Sequence, residues 1–345
     1  MRISMPLQYA GEPKPAVDQV VELEKAGLDT VWVAEVYGYD SPTLMGYIAA
    51  RTERVQIGSA ILPLYSRTPS LIAQTAAGLD YLSDGRAVLG LGASGPQVIE
   101  GWHGVPYTKP LARTREVVEI CRKVWAREER LTHDGKIFTL PLPPDQGTGL
   151  GKPLKMINHP VRSSVPIYVA ALGEKNVQMT AEIAEGWLPH LFIPEKADAI
   201  WGEALAAGKA KRDPSLGELE ISAGGLLAIG EDEETRKLAD FTRPMIALYV
   251  GGMGAKGKNF YNSLARRYGY EEAAEKIQDL YLDGKKDKAA AAVPDEMVEL
   301  TNLCGPESHV RERVEAFRAA GVTHLNVTPV GGDPVKLIEK LKSWL

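Results

Sequence analysis

The chain has 345 residues and lacks the features of a secreted, membrane or nucleic-acid-binding protein. Its two cysteines, Cys121 and Cys304, lie far apart and without metal-ligand spacing, so we expect reduced thiols in the core. No apolar run approaches the roughly 18 residues of a membrane span, and the N-terminal residues lack the apolar core of a signal peptide. With 40 Lys+Arg against 45 Asp+Glu, no basic excess favours nucleic acid. We therefore predict a cytoplasmic protein whose partner is a small molecule, not a membrane or a nucleic acid.

Two common enzyme signatures are also missing. The first predicted strand runs through Met5–Gln8 without a His-x-His pair, so a metal centre is not favoured. The stretch Gly90–Gly95 does match G-x-G-x-x-G, but it begins inside a predicted strand, and no acidic strand end follows at about 20 residues. The sequence therefore predicts neither a metallohydrolase nor a dinucleotide-binding Rossmann unit.

What the sequence does contain is an alternation of short β-rich runs with longer amphipathic stretches, which is typical of repeated βα units. Eight strands close a barrel, so we predict an α/β protein with a single (β/α)8 TIM-barrel domain over residues 1–345. The predicted strands are Arg2–Met5, Thr30–Ala34, Val55–Ile61, Ala87–Gly92, Pro166–Ala171, Gly186–His190, Ile221–Ala228 and His324–Thr328.

Two segments are longer than ordinary loops, at about 132–164 and 245–294. Segments of this length inside a compact domain commonly cover a site, so we expect insertions at the carboxyl face that shape specificity. The second insertion carries Lys256 and Lys258, which are either solvated or placed to meet an acidic ligand.

Barrel enzymes place their chemistry at the carboxyl ends of the strands. Three glycine-containing turns lie at such ends, at residues 92–95, 172–176 and 330–333. Backbone N–H groups at the start of a following helix can bind phosphate there, although each turn alone is more often a tight corner.

At this point two segments resemble the luciferase-like F420-dependent oxidoreductases of actinobacterial type. They are "VQIGSAILPLYSRTPSLIAQ" (55–74) and "GLGASGPQVIEGWHGVPYTKPLARTREVVEICRKV" (90–124), and the resemblance extends to the "GVTHLNVTP" end. Its most specific part runs from Ser94–Gln97 through Trp102–Gly104. The resemblance implies a barrel with the deazaflavin F420 across the strand ends and a hydride passing to or from its ring.

The resemblance also implies positions for cofactor contacts. A bulge in the third strand carries Ser59, Ala60 and Ile61, with a non-prolyl cis peptide against one face of the ring and Ala60–Ile61 the favoured bond. The phosphate contacts correspond to two turns, formed by Ala93, Ser94 and Gly95 and by Ala171, Leu172 and Gly173.

Three side chains are the leading candidates for catalysis. Glu35 matches an acidic residue that lines the pocket in relatives, and it could instead form a structural ion pair. His103 lies in the segment that carries the resemblance, and His190 ends a predicted strand. A general acid must come within hydrogen-bond reach of the substrate, which a sequence does not show.

Two departures narrow the predicted reaction. Sugar-phosphate dehydrogenases of the family have a His where this chain has Val36, and a Glu soon after the fourth-strand glycines, where this chain has Gly95-Pro96-Gln97. We therefore expect a reductase that acts on an activated C=C, C=N or C=O bond. The alternatives are an FMN-dependent monooxygenase and a non-catalytic cofactor-binding barrel. Relatives are commonly dimeric, so a homodimer through the second and third helices is also expected.

Overall fold

A computed structural model describes residues 1–7 and 12–345, so Gln8 lies outside the described residues. The eight predicted strands are confirmed, with shifts of a few residues at their ends and with interruptions in three of them. The strands are β1 Arg2–Leu7, β2 Thr30–Val33, β3 Gln56–Ser59, β4 Leu62–Pro63, β5 Ala87–Gly92, β6 His133–Asp134, β7 Thr139–Leu140, β8 Ile167–Ala170, β9 Gly186–Leu188, β10 Glu220–Ala223, β11 Leu226–Ile229, β12 Leu303–Gly305, β13 His324–Asn326 and β14 Thr328–Pro329.

The strands form a closed parallel ring. The order is β3-β2-β1-β13-β10-β9-β8-β5, and β5 pairs back onto β3. Strand β4 continues β3 along β5, which leaves eight positions in the ring. This closure confirms the predicted (β/α)8 barrel. Because all eight strands are parallel, their carboxyl ends meet at one rim.

The helices are α1 Pro13–Ala26, α2 Ser41–Arg51, α3 Pro69–Leu82, α4 Pro96–Gly101, α5 Pro110–Ala126, α6 Glu174–Ile183, α7 Pro194–Lys209, α8 Glu233–Lys237, α9 Arg243–Ala247, α10 Phe260–Arg267, α11 Glu271–Leu282, α12 Lys286–Ala291, α13 Asp295–Thr301, α14 Glu307–Ala319 and α15 Pro334–Lys342. None of the helices in the described ranges is long and apolar enough to cross a bilayer. Both cysteines are free and buried, as predicted.

The prediction of one strand over Ile221–Ala228 was wrong in detail. The strand is interrupted at Gly224 and Gly225, where a side chain on either residue would lie within 2.3 Å of a neighbouring carbonyl oxygen. Beyond the break, β11 pairs with β14 and with β12, a strand that the sequence analysis missed.

Two large buried rings each lie beside a glycine of the neighbouring strand. Trp32 and Tyr168 form a cluster separate from the main core, with their ring centroids 5.2 Å apart. A Cβ atom at Gly58 or Gly186 would lie 2.2 Å from the ring of Trp32 or Tyr168, respectively. The strands can surround these rings because their neighbours have no side chain.

The first insertion is attached to the barrel by a buried carboxylate. Glu116 on α5 accepts hydrogen bonds from the backbone N–H groups of Lys136 (2.7 Å) and Phe138 (2.9 Å) and also from Ile137, all in the β6–β7 hairpin. Burial alone would raise the pKa of Glu116, but these hydrogen bonds outweigh it and lower the pKa.

The second insertion contains a π-helical turn at Leu248–Gly252. Its carbonyl oxygens are satisfied by two buried amides, because Asn259 Nδ2 donates to Tyr249 O and Val250 O, and Asn262 Nδ2 also donates to Val250 O. A π-turn inside a helix is often found at a functional site. The interpretation of residues 1–345 as one domain with these two insertions stays a prediction.

We predict that Glu116→Gln lowers the free energy of unfolding by about 1–3 kcal/mol at pH 7, because the amide satisfies the three N–H groups less well. The lowered pKa means that the ionised carboxylate stabilises the fold above the unfolded-state value of about 4.3. The difference between wild type and variant should therefore shrink as the pH falls below that value. Thermal unfolding at pH 7 and at about pH 3 measures it. Glu119→Gln, at an exposed position one turn along α5, is the control; equal effects of the two substitutions would contradict the assignment.

Candidate active site at the carboxyl rim of the barrel

The closed ring brings most of the predicted site residues to one rim. Glu35 follows β2, Ala60 and Ile61 follow β3, and His190 follows β9. The two predicted phosphate turns, 93–95 and 171–173, follow β5 and β8, which are adjacent in the ring. His103 lies farther along the chain, just after α4.

The break between β3 and β4 contains the cis peptide at Ala60–Ile61, as predicted. Ala60 and Ile61 are half-buried at the rim. Ile61 lies over Gly92, where a Cβ atom would approach Ile61 Cγ1 to 2.9 Å. The glycine therefore makes room for Ile61 at the end of β5.

Ser59, unlike Ala60 and Ile61, is fully buried and bonded to a neighbouring strand. Its side chain is fully buried, and its hydroxyl donates to Gly90 O (2.8 Å) and accepts from Gly90 N (2.9 Å). The hydroxyl thus joins β3 to β5 at the closure of the ring. A cofactor contact of Ser59 stays a prediction, and its hydroxyl hydrogen is already donated to Gly90 O.

Glu35 forms a buried ion pair with Arg67, which follows β4. Arg67 Nη2 donates to Glu35 Oε2 (2.9 Å) and Arg67 Nη1 donates to Oε1, while the backbone N–H of Ser41 also donates to Oε2 (2.9 Å). Both carboxylate oxygens are therefore occupied. These contacts correspond to the ion-pair alternative, and a catalytic role for Glu35 stays a prediction.

The two predicted phosphate turns lead into helices without side-chain caps. Gly95 precedes α4 and Gly173 precedes α6, and neither helix start has a side-chain hydrogen bond. Around the second turn, Trp187 Nε1 donates to Ala171 O (2.9 Å) and Trp201 Nε1 donates to Leu172 O (2.8 Å). These bonds fix the carbonyl groups and leave the first N–H groups of α6 open to an anion.

His190 is packed against two tyrosines of the second insertion. The ring of Tyr249 lies 4.2 Å from the ring of His190, and that of Tyr261 lies 5.7 Å away, edge-on. Nε2 of His190 is buried and has no hydrogen-bond partner. Burial lowers the pKa of His190 to about 4, so the imidazole is neutral at pH 7.

Two further buried polar atoms have no hydrogen-bond partner. They are Nε2 of His103, after β5, and Oδ1 of Asn176, in the first turn of α6 after β8. Buried polar atoms are nearly always hydrogen-bonded, so each calls for an explanation. Their position after β5 and β8 places them on the side of the rim where the phosphate turns lie.

Sequence reasoning missed Tyr249 and Tyr261, because no local pattern indicates which insertion residues reach a strand end more than 50 positions earlier. The glycines at 251–254 were the one signal for this turn. Three other tyrosines follow strands at this rim, and none of them has a described contact with His190. Tyr37 and Tyr39 are largely exposed, and the Tyr65 hydroxyl donates to Thr108 O. Lys256 pairs with Asp279 (2.6 Å), which fits the solvated interpretation.

A cavity of about 770 Å³ lies away from the rim. It lies between α5, the β6–β7 hairpin and α6, and its lining mixes acidic and basic side chains such as Arg115, Glu119, Lys136 and Glu182. Arg115 and Glu182 pair with each other at 3.0 Å. We place the site at the rim, because strand ends, open helix starts and unpaired polar atoms coincide there among the residues that the structure describes.

Comparison with known proteins identifies one family over nearly the whole chain. The sequence model of the family described as "Luciferase-like monooxygenase" matches residues 1–324. The chain is 42% identical over 342 residues to a Mycobacterium tuberculosis protein named as a candidate coenzyme F420-dependent oxidoreductase, covering 97% of both chains.

Solved structures share the fold. The coenzyme F420 dependent tetrahydromethanopterin reductase from Methanopyrus kandleri superposes with a TM-score of 0.79 at 23% identity, over 100% of this chain and 98% of that one. The oxygenating constituent of 3,6-diketocamphane monooxygenase from Pseudomonas putida, in complex with FMN, gives 0.61 at 19% identity, over 98% and 96%. The fold is therefore common to proteins that use either cofactor.

We predict that Tyr249→Ala raises the pKa of His190 from about 4 toward its ordinary value of 6.5, because the ring that shields the imidazole is removed. Titration of the histidine resonances by NMR, assigned with His190→Gln, measures this. His324, whose pKa is also about 4 through burial and which packs on Tyr168, is the internal control and should not change. A His190 that titrates near 6.5 in the wild type would contradict the description of its environment.

Proposed function

Because this chain belongs to the luciferase-like monooxygenase family, we propose that it is a coenzyme F420-dependent oxidoreductase that reduces an activated double bond of a small organic molecule. The observation that carries the proposal is the 42% identity over 97% of both chains to the mycobacterial protein named for F420. The fold alone would not decide between deazaflavin and FMN, since structural neighbours use both.

The residues of the rim fit a flavin-type group. Gly92 has no side chain beside Ile61, the start of α6 is uncapped, and His103 and His190 each have a buried polar atom without a partner. We assign the ring to the surface formed by Ala60 and Ile61. When bound, the reduced deazaflavin supplies the hydride.

The phosphate is assigned to backbone N–H groups of the two turns, Ala93–Gly95 and Ala171–Gly173. Amide N–H groups at a helix start favour an anion through hydrogen bonds and through the helix dipole. The larger part of the phosphate binding is assigned to the second turn. The helix that follows it, α6, has ten residues, and the carbonyl groups before it are fixed by two tryptophans.

Among the candidate catalytic side chains, His190 and His103 are proposed to contact the substrate. A neutral His190 would donate a hydrogen bond through Nε2 and polarise the bond to be reduced, without carrying a charge. Glu35 is proposed as a positioning residue, because its pair with Arg67 fixes the end of β2 against the end of β4.

We also propose a cytoplasmic homodimer. The buried free thiols are those of a protein in a reducing compartment. Leu71, Tyr81 and Leu82 are exposed along α3, and a cavity of about 150 Å³ between α2 and α3 is lined by Met45, Gly78 and other small or apolar residues. A second copy that buries this face would remove these apolar groups from water.

Titration of the protein with F420 and with FMN tests the cofactor assignment. We predict that F420 binds at least about tenfold more tightly, which corresponds to ~1.4 kcal/mol. Gly173→Asp should weaken F420 binding by about tenfold or more, because the carboxylate both caps α6 and repels the phosphate. Gly173→Asn caps the helix without the charge and should have a smaller effect. Gly101→Asp, in open space at the end of α4, is the charge control. Tighter binding of FMN would favour the monooxygenase alternative, and binding of neither would refute the proposal.

Light scattering coupled to size-exclusion chromatography tests the dimer. We predict twice the chain mass of 37.5 kDa for the wild type and a monomer for Leu82→Glu, since a buried carboxylate at the interface is costly. Leu282→Glu changes a similarly exposed leucine on α11 and should leave the dimer intact. A wild-type protein that elutes as a monomer at micromolar concentration would refute the proposed association.

A further inference from the structure

The rim beside β9 is an aromatic box, defined here as His190, Tyr249 and Tyr261. The two tyrosine rings lie 4.7 Å apart at 69°, and both contact the imidazole. All three side chains are half-buried. Three flat faces around one polar atom favour a flat ligand over a three-dimensional one.

The box is held on both sides by bonds that fix its geometry. The Tyr268 hydroxyl donates to Leu191 O (2.9 Å) and accepts from Ile193 N (3.3 Å), which clamps the chain directly after His190. Leu191 has a φ of 53°, a conformation that such a side chain rarely adopts. The non-glycine residue is held there, so the position of His190 is imposed by its surroundings.

On the other side, the π-turn that presents Tyr249 is fixed as well. Asn259 and Asn262 satisfy its carbonyl groups, and Gly251 and Gly252 pack directly on Tyr281, where a Cβ atom would lie within 2.5 Å of that side chain. The tyrosines are thus brought to His190 by a built structure and not by a loose loop.

Three ion pairs neutralise charged groups near the rim. Glu35 pairs with Arg67 (2.9 Å), Glu174 with Arg267 (2.9 Å) and Lys256 with Asp279 (2.6 Å). Burial keeps the pKa of the Tyr261 phenol above its ordinary value, so its hydroxyl stays protonated at pH 7. The box therefore offers apolar faces and neutral hydrogen-bonding groups, which disfavours a sugar phosphate or a polycarboxylate as ligand.

We propose that the aromatic box binds an uncharged, planar, conjugated carbonyl compound, stacked on Tyr249 and Tyr261, with its carbonyl oxygen accepting a hydrogen bond from His190 Nε2. The carbonyl supplies the partner that this buried atom lacks. The proposal rests on the proposed function and names the substrate class of that same site.

The reaction follows from this placement. A bound reduced deazaflavin would supply a hydride to the carbon β to the carbonyl. The π electrons of the C=C bond would move toward the carbonyl oxygen, where the His190 hydrogen bond would stabilise the developing charge. The α carbon would take a proton from water, so that the C=C bond becomes a single bond, the deazaflavin is the two-electron donor, and His190 keeps its proton.

Binding to the protein loaded with oxidised F420, which cannot react, tests this assignment apart from activity. Benzylideneacetone is a planar conjugated ketone, and 4-phenylbutan-2-one is the same molecule with a saturated, flexible link. We expect benzylideneacetone to bind more tightly than the saturated ketone and than glucose 6-phosphate. Its ring protons should shift upfield in the NMR spectrum, because they stack on tyrosine faces.

Two substitutions and one control complete the test. His190→Phe keeps a ring but removes the donor, and should weaken benzylideneacetone binding about tenfold. Tyr249→Ala should abolish most of the upfield shift. His159→Phe, at an exposed position, should change neither. Failure of F420 itself to bind would refute the proposed function. Normal F420 binding with no preference for the planar ketone, or with equal affinity in His190→Phe, would overturn the aromatic-box proposal alone.

Discussion

The site depends on the closure of the ring between β3 and β5. At this contact the Ser59 hydroxyl makes two hydrogen bonds to the backbone of Gly90, at 2.8 and 2.9 Å. A Cβ atom at Gly90 would lie 1.7 Å from Ser59 O, so the two strands can approach only with glycine there. Closure makes every strand end point to the same rim, and it thereby places groups from distant parts of the sequence around one ligand.

The rim combines compensated charges with neutral polar atoms. Glu35 and Glu174 are paired with arginines, and the buried polar atoms without partners include imidazole nitrogens of His103 and His190. Such an arrangement suits a reaction in which a hydride moves to a neutral acceptor. Positive character is available for a phosphate at the helix starts.

Much of this structure could be predicted from the sequence. The features that could not be predicted all depend on contacts between residues far apart in the chain. The strands were predictable from apolar runs between turn signals, and the cis bond at Ala60–Ile61 from the resemblance of the segment around it. The partner of Glu35 could not be predicted, because Arg67 is 32 positions away and reaches it only once the barrel has folded. The contacts of Tyr249 and Tyr261 with His190 were likewise invisible, since they depend on how a long insertion folds back over the rim. The glycine break at 224–225 was read as one continuous strand because a strand pattern does not reveal a close backbone approach.

The most direct test is a crystal structure of the protein with bound oxidised F420. We predict that the deazaflavin ring lies against Ala60 and Ile61, its phosphate on the N–H groups after Ala171–Gly173, and the free face of the ring toward His190. A cofactor bound elsewhere, such as in the cleft between α5 and α6, would contradict the assignment of this rim as the active site.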